Sequence, residues 1–85
     1  MRYKITLRKN VIKVLEKINE PYYSNLKEAL YQLAENPRPA GCKKLKGRDG
    51  YRIRVSDYRI IYEILDDILV IDVIALGHRK DIYKG

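Results

Sequence analysis

Three arginines, Arg52, Arg54 and Arg59, stand in the strand-forming run YRIRVSDYRIIY at positions 51–62. Side chains two apart on a strand point to one face. Arg52 and Arg54 therefore share a face, and Ile53 and Val55 share the opposite one. A guanidinium matches phosphate oxygens with a two-pronged set of N–H donors. Three of them on one face repel each other unless an anion or carboxylates intervene. The chemistry this favours is the grip on a phosphate carried by a polyanion. The alternative is structural, with the arginines tied to Glu63 and Asp72. Past the last apolar run, the tail GHRKDIYKG adds His78, Arg79 and Tyr83. Histidine titrates near neutrality, and acid–base groups gather with anion stabilisers in active sites.

The totals agree with an anionic partner. The 85 residues carry a formal net charge of +7, and residues 38–59 hold eight Lys/Arg against two Asp. A basic excess concentrated in one stretch is the electrostatic footprint of nucleic-acid binding. At 46% hydrophobic and 34% charged the chain reads as one globular domain, 1–85, with a modest core. Cys42 is the single cysteine, which excludes an internal disulfide. No metal-ligand cluster is visible in the sequence, and no cofactor or metal is expected. The start, MRYKITL, lacks the apolar core of a signal peptide. No run approaches a membrane span. A cytoplasmic protein without membrane partners is the expectation.

The elements that must position these residues follow from periodicity. Tyr3, Ile5 and Leu7 alternate, which predicts a strand over 2–7. From Arg8 the period becomes helical, with Val11, Ile12, Leu15 and Ile18 on one stripe. Asn19-Glu20-Pro21 interrupts that helix, and Pro21 suits the start of the next. The second helix is predicted over Tyr22 to Glu35, ended by Asn36-Pro37. A loop follows over 36–50, with a short extended piece around Lys44 to Lys46. Strands are predicted at 51–55, 58–65 and 69–76, joined by tight turns as an antiparallel meander. The order β-α-α-β-β-β predicts an α+β fold, an antiparallel sheet with a two-helix hairpin on one face. Ile53, Val55, Ile60, Tyr62 and Ile64 fall on the helix-covered phase. Arg52, Arg54, Arg59 and Glu63 fall on the other.

Several short pieces recur together here: Pro37 with Leu45-Lys46-Gly47, Tyr51-Arg52-Ile53-Arg54, Tyr58-Arg59-Ile60-Ile61-Tyr62, and Gly77-His78-Arg79 followed by Tyr83. In this order and spacing the chain resembles the RelE/ParE toxin superfamily, and RelE-type messenger RNA endonucleases most closely. The resemblance implies a microbial-ribonuclease-like sheet backed by two helices. It implies cleavage of messenger RNA in the ribosomal A site by attack of the ribose 2′-OH on the adjacent phosphate. It implies partners as well: the message on the ribosome, ribosomal RNA, and a RelB-like antitoxin that blocks the site, with a toxin–antitoxin heterotetramer as one assembly. No metal is required, since the nucleophile belongs to the substrate. By position, Arg52 and Arg54 occupy two basic strand positions that are lysines in the best-known RelE. Arg59 matches the arginine on the scissile phosphate, Arg79 the arginine near the leaving oxygen, and Tyr83 the base-stacking tyrosine. Lys43, Lys44, Lys46 and Arg48 would grip RNA backbone.

Arginine stays protonated and is a poor base, whereas lysine can deprotonate when its pKa falls. The general base is therefore open among His78, Tyr83, Lys44 and Lys46, or water takes the proton and charge stabilisation dominates. Two other functions are compatible with the same fold: a DNA gyrase inhibitor of the ParE kind, and an RNA-binding homologue with weak or no cleavage.

Overall fold

Alternating apolar residues build a sheet with one dry face, and the two helical stripes close over it. In the computed structural model, which describes residues 2–47 and 49–78, the chain runs β1 (Lys4–Leu7), α1 (Lys9–Glu16), α2 (Tyr22–Glu35), β2 (Lys43–Lys44), β3 (Tyr51–Val55), β4 (Tyr58–Leu65) and β5 (Val70–His78). The five strands form one sheet in the order β1-β5-β4-β3-β2. The α+β layering and the meander of β3, β4 and β5 match the sequence expectation.

The sheet is mixed, which corrects the expectation of an antiparallel one. β1 lies parallel to β5, with Ile5 opposite Ile71 and Leu7 opposite Val73. Alternation assigns faces but not strand direction, so the sequence left this open. The ladder starts with Lys4 N–H donating to Leu69 C=O (2.8 Å) and runs one residue past β1, where Arg8 N–H donates to Val73 C=O (3.4 Å). β2 is also shorter than expected and lies at Lys43–Lys44, before Leu45 and Lys46.

The core forms where helix stripes meet the central strands. Val11, Leu26, Leu30 and Leu33 pack with Ile60 and Tyr62 of β4 and Ile71, Val73 and Leu76 of β5. Ile53, Val55 and Ile64 pack against this cluster, as the pattern predicts. α2 has its first turn fixed by Glu20, whose carboxylate accepts hydrogen bonds from Ser24 N–H (3.0 Å) and Ser24 Oγ (2.6 Å). Those bonds hold the Glu20 carboxyl below its usual pKa. Asn36, extended ahead of Pro37, ends the helix because the proline ring disfavours helical geometry at the preceding residue.

One irregularity decides side-chain placement. Ile61 pairs with Ala75, but Tyr62 pairs with Val73, so β5 carries a bulge at Ile74. A bulge inserts one extra residue and shifts the alternation beyond it. Val73 and Leu76, three apart, are therefore both buried.

Candidate active site

The hairpin of β3 and β4 brings the arginines together. Its two-residue turn at Ser56-Asp57, with Ser56 in the left-handed region at φ 54°, sets Val55 opposite Tyr58 and Arg54 opposite Arg59. On the other flank of β3, Lys43 lies opposite Arg52. Directly opposed residues share a face, so Lys43, Arg52, Arg54 and Arg59 form two cross-strand pairs spread over three strands, on the side away from the helices. They line one pocket of about 260 Å³ together with Gly41 and Ile53. Arg54 is exposed, while Arg52 and Arg59 are half-buried, and Arg59 has its Nε buried. A half-buried guanidinium is held in one orientation, which suits two-pronged capture of a phosphate.

The carboxylates named as structural partners are engaged elsewhere or lie far along the strands. Asp72 accepts from Thr6 Oγ1 (3.3 Å) and from an Arg8 guanidinium nitrogen (3.1 Å). Glu63 lies opposite Asp72, four residues past Arg59, roughly 13 Å along the strand at ~3.3 Å per residue. The block of Lys43 and the three arginines thus lies over β2, β3 and the start of β4, while these two carboxylates lie toward β1, where Arg8 engages Asp72.

The loop over 36–42 fixes one wall of the pocket. Tyr62, fully buried, donates its hydroxyl to Pro37 C=O at 2.7 Å, and burial pushes its phenol well above the usual range. Arg38 donates to Asp66 Oδ2 (3.1 Å) and to the Tyr51 hydroxyl (3.3 Å). Tyr3 donates its hydroxyl to Asp66 Oδ1. The bonds from Tyr3 and then Arg38 hold the Asp66 carboxyl below its usual pKa. Tyr51 stacks on Tyr62 at 6.0 Å. Held at this end, the loop turns through Gly41 at φ +93°, a conformation that favours glycine, and reaches the pocket rim. Gly41 and Arg38 were missed as positioning residues. The only sequence signal for them was Pro37 and Tyr62, whose bond could not be read from their spacing.

The structure divides the other sequence-predicted residues. Lys43 joins the pocket. Lys44 pairs with Tyr51 on the opposite phase and lines a separate recess with Arg38 and Asp49. Lys46 is exposed in the turn after β2 and does not line the pocket. His78 is also on the other side. The β5 bulge carries it to the helix-facing phase, opposite Tyr58, with the two rings edge-on at 5.8 Å. Gly77, opposite Arg59, takes the phase that uninterrupted alternation would have given His78. Arg48, Arg79 and Tyr83 lie outside the described residues.

Among the described residues, no group of three or more His, Cys, Asp or Glu side chains is placed to hold a metal. Four cations on one face can bind a phosphodiester and stabilise charge building on its oxygens. Three of the four are arginines, which stay protonated and are poor bases.

Comparison with known proteins places this arrangement. Residues 5–83 match the family model of the ParE toxin of the type II toxin–antitoxin system parDE. The chain is 31% identical to the mRNA interferase toxin RelE of Escherichia coli K12, across 94% of its own length and 86% of the relative's. The RelE chain of the Pyrococcus horikoshii RelE–RelB complex superposes with a TM-score of 0.81 at 29% identity, covering 95% of this chain and 99% of that one. A chain of the intact E. coli RelBE toxin–antitoxin complex superposes with a TM-score of 0.77 at 32% identity, covering 89% and 95%. A sheet with two helices on one face, a block of cations on the other and a family match over nearly its whole length make this chain a member of the RelE/ParE superfamily of type II toxins.

Proposed function

We propose that the chain is a ribosome-dependent endoribonuclease that cuts messenger RNA in the A site, held in check by a RelB-like antitoxin. The observation that carries this reading is the pocket of Lys43, Arg52, Arg54 and Arg59. The name of the E. coli relative, an mRNA interferase, supports it, and the RelE–RelB complexes of the structural relatives support the antitoxin. A toxin–antitoxin heterotetramer in the cytoplasm is the assembly to look for.

In the reaction the ribose 2′-oxygen forms a bond to the adjacent phosphorus and the bond from phosphorus to the 5′-oxygen breaks. The 2′-OH proton leaves to a base and the 5′-oxygen gains a proton, giving a 2′,3′-cyclic phosphate and a 5′-OH. The nucleophile is the substrate's own hydroxyl, so the step as written draws on no metal. The cations hold the non-bridging oxygens and stabilise the charge that grows on them. Lys43 is the one lysine of the pocket and the one member of the block able to lose its proton, which makes it a fifth candidate base alongside those the sequence offered.

Induction of the toxin should arrest growth. Primer extension on translated messages should then show new ends inside A-site codons. Arg59→Ala and Arg79→Ala should relieve the arrest while keeping antitoxin binding. If both variants stay fully toxic, the site assignment is wrong. The family match to ParE favours one second reading, inhibition of DNA gyrase. Gyrase-dependent DNA breaks with messages left intact would establish it instead.

A further inference from the structure

A groove between α2 and β3 adjoins the cationic pocket and carries different chemistry. It encloses about 450 Å³, within the roughly 300–1,000 Å³ of small-ligand sites. It shares Gly41, Ile53 and Arg54 with the pocket, so the two hollows meet at the free flank of β3. That flank is open because β2 pairs only with Tyr51 and Arg52. The floor is apolar, made of Leu33, Ile53 and Val55, and the helix side presents two exposed amides, Asn25 and Gln32. Ala29, between them on the same helix face, leaves the space a longer side chain would fill. Arg54 is the one charged residue of the lining.

We propose that this groove is a base-reading subsite that takes an unstacked nucleobase of the RNA whose phosphate occupies the adjoining pocket; the proposal rests on the RNA-cleaving function proposed above. Each unit of single-stranded RNA carries a phosphate and a base, so filling the pocket with one presents the other at the shared rim. Apolar surface accepts the face of a base. A carboxamide offers a donor and an acceptor side by side and reads a base edge. An unstacked base of any kind shows a donor beside an acceptor on one edge, and adenine, through N6 and N7, is the customary two-pronged partner of Asn and Gln. Apart from Arg54 at the rim shared with the pocket, the lining is uncharged, which suits a base better than a second phosphate.

The test uses the intact toxin on translating ribosomes, with messages in which one nucleotide beside the cut is varied among the four bases. Cleavage should be strongest with adenine at one such position, by about fivefold or more, as expected of a single two-pronged contact. The double variant Asn25→Ala/Gln32→Ala removes two exposed amides, and Ala29→Trp fills the groove. Both should bring the four bases within about twofold of each other. Any preference imposed by the ribosome is common to wild type and variants, so the change between them isolates the groove. Unchanged selectivity in both variants, with cutting retained, overturns the subsite and leaves the proposed function standing. A loss of total cutting without a change in selectivity also overturns it. Weakened antitoxin binding with unchanged selectivity assigns the groove to the protein partner. A wild type that makes no new ends overturns both readings.

Discussion

Arg59 combines two properties the site needs, a half-buried position on the pocket wall and a planar fork of donors. Truncation to Ala should lower single-turnover cleavage by about 100- to 1,000-fold, the usual cost of losing one oxyanion-stabilising donor. Arg59→Lys keeps the charge but loses the planar fork, and should fall between wild type and Ala. Tyr62 serves a different purpose. Its hydroxyl fixes Pro37, and with it the loop that carries Gly41 to the rim. Tyr62→Phe should cost about 1–2 kcal/mol in a denaturant titration, because a backbone carbonyl loses its partner. Asp66 supplies the pH dependence. Its folded pKa is depressed below 3.8, so it adds stability that is present above the unfolded value and lost as pH falls through the folded one. Thermal unfolding below pH ~4 should be less pH-dependent in Asp66→Asn than in wild type.

At the scale of elements, the hairpin turn and the β5 bulge govern what the site contains. Ser56 holds a left-handed φ that costs a residue with a Cβ. Ser56→Gly should therefore raise stability by about 0.5–1 kcal/mol with the β3–β4 register unchanged, read from unfolding curves. The arginine face was legible in the sequence because Arg52, Ile53, Arg54 and Val55 alternate without interruption and a two-residue turn preserves the phase to Arg59. His78 was not legible in the same way. Ile71, Asp72, Val73, Ile74, Ala75 and Leu76 are almost all apolar, so nothing in the residue types marks where the extra residue sits. The bulge turns His78 toward Tyr58 and away from the arginines. The parallel pairing of β1 was hidden for a related reason. Ile5 and Leu7 specify a buried face, and that face is the same whichever way the strand runs. The anchoring of the 36–42 loop depends on contacts such as Arg38 with Asp66, 28 residues apart, which no local pattern encodes.

For the whole molecule, the uneven charge has a measurable reach. With four cations on the RNA backbone, log K for a short single strand should fall against log salt with a slope of about −3, and Lys43→Ala should bring it nearer −2. The sheet order has a consequence of another kind. β5 is the last of the described strands to be made, yet it occupies the slot between β1 and β4. While the toxin is being synthesised, its first strand waits without a neighbour until residues 70–78 have left the exit tunnel. Before then the helices cover an unfinished sheet, and the β3–β4 hairpin that carries the arginines has no support on its inner flank. Because β1 pairs with a strand far along the chain, the ordering cost of closing that pair is met only after β5 has been made. Such a protein completes the sheet behind its arginines only once β5 is in place. Nascent chains stalled at residue 69 should accordingly be cut readily by a protease that leaves the completed toxin intact.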